Sequence, residues 1–90
     1  MAKAAASSST RRVLIVDGDP TFGHSLDKEF RSRTFEVETA ATPEEAMALV
    51  AARAPDLVVL DLYLPDGAAL KLLRHWKLQS PTLVVILVSG

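Results

Sequence analysis

Ninety residues, 49% hydrophobic and 23% charged, with a formal net charge of -1, describe one small globular domain with room for a single core. Lys and Arg total 10 against 11 Asp and Glu and form no run, so nothing electrostatic favours nucleic acid or an anionic membrane as a partner. The absence of cysteine excludes disulfide staples and thiolate metal sites, and His24 and His75 lie too far apart in sequence for a local zinc motif. The longest apolar run, LVVILV at 83–88, falls far short of the roughly 20 residues of a membrane helix, so a cytoplasmic location is expected.

Residues 1–10, rich in Ser and Ala, read as a disordered tail, and residues 11–90 as the domain. RRVLIVD at 11–17 is a strand of the kind covered on both faces. Phe22, Leu26 and Phe30 then recur every four residues, which predicts an amphipathic helix over 21–33 with Asp19 as N-cap and Pro20 at its first position. FEVETA at 35–40 alternates apolar and polar residues, as an edge strand does. Thr42, Pro43 and Glu45 form a capping box that opens an Ala-rich helix over 43–53. DLVVLDL predicts a third strand, with an apolar run continuing past Asp61 through Leu62 to Leu64. LPDG at 64–67 is turn chemistry. Leu70, Leu72, Leu73 and Trp76 predict an apolar face on a helix over 67–78, which Ser80 and Pro81 end, and TLVVILVS at 82–89 is a fourth strand. The order β-α-β-α-β-α-β calls for an α/β fold: an open parallel sheet with right-handed crossovers and helices on both faces.

In such sheets ligands bind beyond the carboxyl ends of the strands, where Asp17, Asp19, Asp61 and Ser89 all fall. A carboxylate ending an apolar strand is costly to desolvate, and several together repel; a hard divalent cation offsets both effects. Magnesium suits one or two carboxylates, a backbone carbonyl, water and a phosphate, which makes the cluster a candidate for phosphoryl transfer. Other readings compete at single positions. Asp19 serves equally as a helix cap and Asp66, beside Gly67, as a turn former, whereas Asp61 with an apolar run beyond it lacks such an explanation. His24, His75, Tyr63 and Trp76 read as surface or packing residues.

VLIVDGDP, PDLVVLDLYLPDGAALKLLR and TLVVILVSG resemble, in order and spacing over 11–90, the receiver domain of two-component response regulators. The wording DLYLPDG is most similar to a branch found in some redox-responsive regulators. The resemblance implies a flavodoxin-like fold and a switch rather than an enzyme turning over a substrate. It implies that Asp61 takes a phosphoryl group from a histidine kinase, that Asp17, Asp19, Asp61 and the carbonyl of Tyr63 hold Mg2+, and that the Ser89 hydroxyl bonds the new phosphoryl oxygen.

Two departures from the family pattern stand out. Gly18 occupies the second place of the usual acidic pair; either Asp19 moves into it, using the conformational freedom of glycine, or the metal is held weakly or through water. The sequence also carries four of the family's five strands, without the fifth-strand lysine, and so reads as a truncated receiver with LVVILV on an open edge. Such an edge invites a homodimer or a strand-completing partner. The rival reading is a phosphorylation-independent pseudo-receiver that acts as a protein-interaction module.

Overall fold

The computed structural model describes residues 11–19, 27–31 and 33–89. Its four strands are β1 (Arg12–Val16), β2 (Glu36–Ala40), β3 (Leu57–Asp61) and β4 (Val84–Val88). All neighbours run parallel in the order β2-β1-β3-β4, as a right-handed α/β winding requires. A helix described over 27–31 (α1) precedes β2; α2 (Pro43–Ala52) and α3 (Ala68–Gln79) follow β2 and β3.

Alternation of side chains along β1 divides the core between the two faces of the sheet. Leu14 and Val16 join Val58 and Leu60 of β3, Ala46 of α2, and Leu72 and Trp76 of α3. Val13 and Ile15 point the other way, toward Val37, Val59 and the partly buried Phe30 of α1. Helices therefore cover both faces, and the continuous apolar character of β1 and β3 follows from that double burial. Phe30 meets Phe35 edge to face, with ring centroids 5.2 Å apart, which closes the turn leading into β2. The expected partners of Phe30 on its helix, Phe22 and Leu26, and the Pro20 expected at the helix start lie outside the described residues.

The capping box of α2 forms: Thr42 Oγ1 accepts from Glu45 N–H at 3.2 Å, and Glu45 Oε1 accepts from Ala41 N–H at 2.8 Å. LPDG folds as a 3-10 turn (Pro65–Gly67) in which Asp66 and Gly67 take left-handed angles, φ +59° and +67°, before α3 begins. Two sequence expectations fail here. The strand does not run past Asp61, because Leu62 and Tyr63 turn outward and Leu64 alone folds back into the core. On α3, Leu72 and Trp76 are buried and Leu73 partly so, but Leu70 is 53% exposed, since only the stripe facing the sheet is covered.

A residue that pattern reading passed over organises the opposite pole. Arg12 opens β1 almost fully buried. Its Nη1 donates to the carbonyls of Arg53 and Ala54 at the end of α2, at 3.0 and 2.8 Å. Its Nη2 donates to Glu38 Oε1 at 2.6 Å, its Nε lies 3.4 Å from Glu36 Oε1, and its N–H donates to Asp56. Its side chain thus joins β1 to β2 and the end of α2, and its backbone N–H reaches Asp56 ahead of β3.

Candidate functional site

Register decides which strand ends meet. Val16 of β1 pairs with Leu60 of β3, and Asp61 with Val88 of β4, so Asp17, Asp61 and Ser89 fall at the carboxyl edge of three adjacent strands. Asp17 continues the β1–β2 ladder, donating its N–H to the Ala40 carbonyl at 3.0 Å, and is only 7% exposed. Asp61 is half-buried. Ser89, one residue past the Asp61 partner, is exposed, and Leu62 N–H donates to the Val88 carbonyl at 2.8 Å, tying the β3 exit to β4.

Each carboxylate is positioned by the backbone that follows it. Asp17 Oδ1 accepts from Asp19 N–H at 2.7 Å, and Asp61 Oδ1 accepts from Tyr63 N–H at 2.9 Å. Both strands therefore end in the same side-chain-to-backbone turn, two residues long. That turn is the local chemistry absent from the sequence reading of Asp61, and it leaves the Tyr63 side chain 71% exposed. His75 is exposed on α3 and Trp76 is core, as read; His24 lies outside the described residues.

Burial pushes the Asp17 carboxyl above its ordinary value. The Asp19 N–H works against that shift, while the charges of Asp61 and Asp19 and a side-chain hydrogen bond with Asp61 add to it. Among the described residues, no Lys, Arg or His pairs with Asp17 or Asp61. Among the described residues the site is thus a buried carboxylate against a second carboxylate with no Lys, Arg or His to offset them. Two facing carboxylates are oxygen donors of the kind that suits Mg2+. Among the described residues, no three His, Cys, Asp or Glu side chains gather as a metal-holding group, although the Asp19 charge is near enough to act on Asp17. Gly18 is exposed and its φ lies outside the left-handed range; a β-carbon there would meet only the Ala41 carbonyl, at 3.8 Å.

Among the described residues, no helix is long and apolar enough to cross a membrane. Among the described residues β4 pairs with β3 alone, and it exposes Val84, Ile86 and Leu87.

Comparison with known proteins agrees with this architecture. The chain is 32% identical over 78 residues to the probable transcriptional regulatory protein TcrX of Mycobacterium tuberculosis, covering 87% of this chain and 33% of that protein. It is 33% identical over 82 residues to the photosynthetic apparatus regulatory protein RegA of Rhodobacter capsulatus, covering 91% of this chain and 45% of that protein. It thus spans between a third and a half of these relatives' length. The fold is similar to a CheY-like receiver domain protein from Methanospirillum hungatei, with TM-score 0.85, 33% identity, and coverage of 91% of this chain and 66% of that one. The response regulator receiver domain family matches residues 13–90, and the chain belongs to it.

Proposed function

We propose that this domain is a phosphorylation switch in which a histidine kinase transfers a phosphoryl group to Asp61. The observation that supports it most is the Asp17–Asp61 pair, a buried and a half-buried carboxylate held in contact at the ends of two adjacent strands, with no Lys, Arg or His paired to either among the described residues. An Asp61 carboxylate oxygen attacks phosphorus as the bond from phosphorus to the histidine nitrogen breaks, leaving an acyl phosphate and a neutral imidazole. The Tyr63 N–H already holds Oδ1, which fixes the orientation of the nucleophile before the donor arrives. Asp17, Asp61 and the Tyr63 carbonyl would hold Mg2+, and Asp19 supports Asp17 through its backbone N–H. When bound, Mg2+ supplies positive charge against the equatorial phosphoryl oxygens. The Ser89 hydroxyl, one residue past β4 and beside the end of β3, would bond a phosphoryl oxygen.

Partner exchange, rather than turnover, is the output. The open β4 edge, with Ile86 and Leu87 exposed, supports completion of the sheet by a second copy or a strand-supplying partner. The near-neutral charge supports protein rather than nucleic-acid recognition by this domain, and with no membrane-length helix among the described residues we place it in the cytoplasm.

The test is intact-mass analysis after incubation with acetyl phosphate and Mg2+, beside Asp61→Asn, with circular dichroism on both. A phosphoryl adduct on the unsubstituted chain alone supports the switch. Gly18 and the exposed β4 favour a second reading, a pseudo-receiver that assembles without phosphorylation; a folded chain with no adduct supports that one.

A further inference from the structure

α2 and α3 cover the same face of the sheet and share one core, to which α2 gives Ala46 and α3 gives Ala69, Leu72 and Trp76. Their outer edges do not close over it. Between them runs a groove of about 600 Å³, lined by Pro43 and Met47 of α2, by Pro65 of the turn, and by Ala68 and Leu72 of α3. Short and unbranched side chains leave it open: Ala68 ends at its β-carbon, and Met47 remains 42% exposed.

Charge is divided across this groove. Glu44 lines it from α2 and Asp66 from the turn, whereas Lys71 and His75, spaced i,i+4, line it from α3. All four are exposed, and among the described residues none has a salt-bridge partner, although Arg12, Arg31, Arg33 and Arg53 are each matched with a carboxylate. Nor can α3 offset its own charge: from Gly67 to Gly90 the sequence holds Lys71, Arg74 and Lys77 and no Asp or Glu. An apolar floor between unpaired charges of opposite sign is the arrangement that selects a helix in a coiled-coil seam, where flanking charges choose the partner. The α3 edge from Ala68 to His75 rises about 10 Å, roughly two helical turns, which is the length over which a docked helix sets apolar anchors at i, i+3 or i+4 and i+7. An extended segment would find no strand edge there, because α2 and α3 stand between it and the sheet.

We infer that the α2–α3 groove docks an amphipathic helix of a partner protein, with its apolar stripe over Met47 and Leu72, acidic residues on the flank that meets Lys71 and His75, and basic residues on the flank that meets Glu44 and Asp66. Pro65 and Asp66 belong to the connection that leaves Asp61, so the groove adjoins the proposed switch. As the partner exchanged by that switch, this helix rests on the reading of Asp61 as phosphoacceptor; its docking does not.

Fluorescence anisotropy on the full, unphosphorylated chain tests docking with labelled peptides of about three turns, stapled so that they are helical when free. They share a leucine stripe at i, i+3, i+4 and i+7 and differ in their flanks: Glu on one and Lys on the other, Glu on both, or Lys on both. The mixed peptide is expected to bind saturably and about fivefold tighter than either single-sign peptide, as a few ion pairs at the rim provide. Lys71→Glu makes both sides acidic and should move the preference to the Lys-flanked peptide. Met47→Glu should weaken binding of all of them by about tenfold. Both positions are exposed, and circular dichroism checks that both variants fold. Absence of saturable binding by the mixed peptide, or a ranking that Lys71→Glu leaves unchanged, overturns the inference. Binding that Met47→Glu does not weaken also overturns it, because the peptide then sits elsewhere. If light scattering shows an oligomer of the parent that Met47→Glu reduces to one chain, a second copy fills the groove, which overturns the partner helix. Docking as expected with no adduct from acetyl phosphate removes the switch and leaves the groove standing; an adduct without docking does the reverse.

Discussion

Replacing Arg12 with methionine keeps an unbranched buried stem and removes only the guanidinium, so its effect can be followed bond by bond. The bonds to the Arg53 and Ala54 carbonyls, at 3.0 and 2.8 Å, come from a charged donor, and each contributes about 1.5 kcal/mol. The contacts to Glu38 and Glu36 involve carboxylates that are 43% and 49% exposed, which limits the two together to about 1 kcal/mol. Opposing these is the cost of taking a guanidinium out of water, absent in methionine, which takes back roughly half of the gain. A net loss of about 2 kcal/mol remains, and for a domain of this size that lowers the melting temperature by roughly 10 °C. Trp76, the sole tryptophan and 2% exposed, reports unfolding by fluorescence during a urea titration. The expected result is a lower midpoint at unchanged slope, with 1 M NaCl recovering less than half of the difference, because the carbonyl bonds are screened far less than the ion pairs. Arg12 and Asp17 sit at opposite ends of β1, about 16 Å apart at strand rise, so the yield of acetyl phosphate adduct is expected to stay the same. An unchanged midpoint, or a loss that salt removes entirely, refutes the bond-by-bond account.

Three further outcomes are expected. Asp17→Asn should raise the melting temperature of the metal-free protein. The folded carboxyl of Asp17 lies above its ordinary 3.8, so the folded state holds the proton more tightly, and stability falls as pH climbs from that value through the raised one. Thermal melts from pH 4 to 8 should show that fall in the parent and a flatter profile in the variant; a variant less stable at pH 7 contradicts the burial argument. Gly67→Ala places a β-carbon in open space but at φ +67°, so a destabilisation of about 1 kcal/mol in urea comes from backbone strain alone, and a neutral result contradicts it. Ile86→Lys puts a charge on the exposed β4 strand. If that edge supports assembly, light scattering after size exclusion should show the mass fall to that of one chain, and an unchanged oligomer places assembly elsewhere.

Strand and helix order, the parallel sheet and its two covered faces followed from local pattern, because double burial writes unbroken apolar runs into β1 and β3, and capping chemistry marks the start of α2. The placement of Asp17 and Asp61 at strand ends was legible for the same reason: each closes an unbroken apolar run. Other features depend on contacts distant in sequence or on backbone angles, which pattern does not carry. Arg12 reads as a polar residue at a strand start, and only the meeting of Glu38 with the end of α2 makes it a buried clamp. The turn at Asp61 reads as more strand, since Leu62 and Tyr63 are apolar; the bond from Tyr63 N–H to the Asp61 carboxylate turns the chain there and leaves both side chains exposed. Gly18 reads equally as a hinge or as a missing ligand. Its φ and the clear volume around it are properties of the folded backbone, which pattern does not carry.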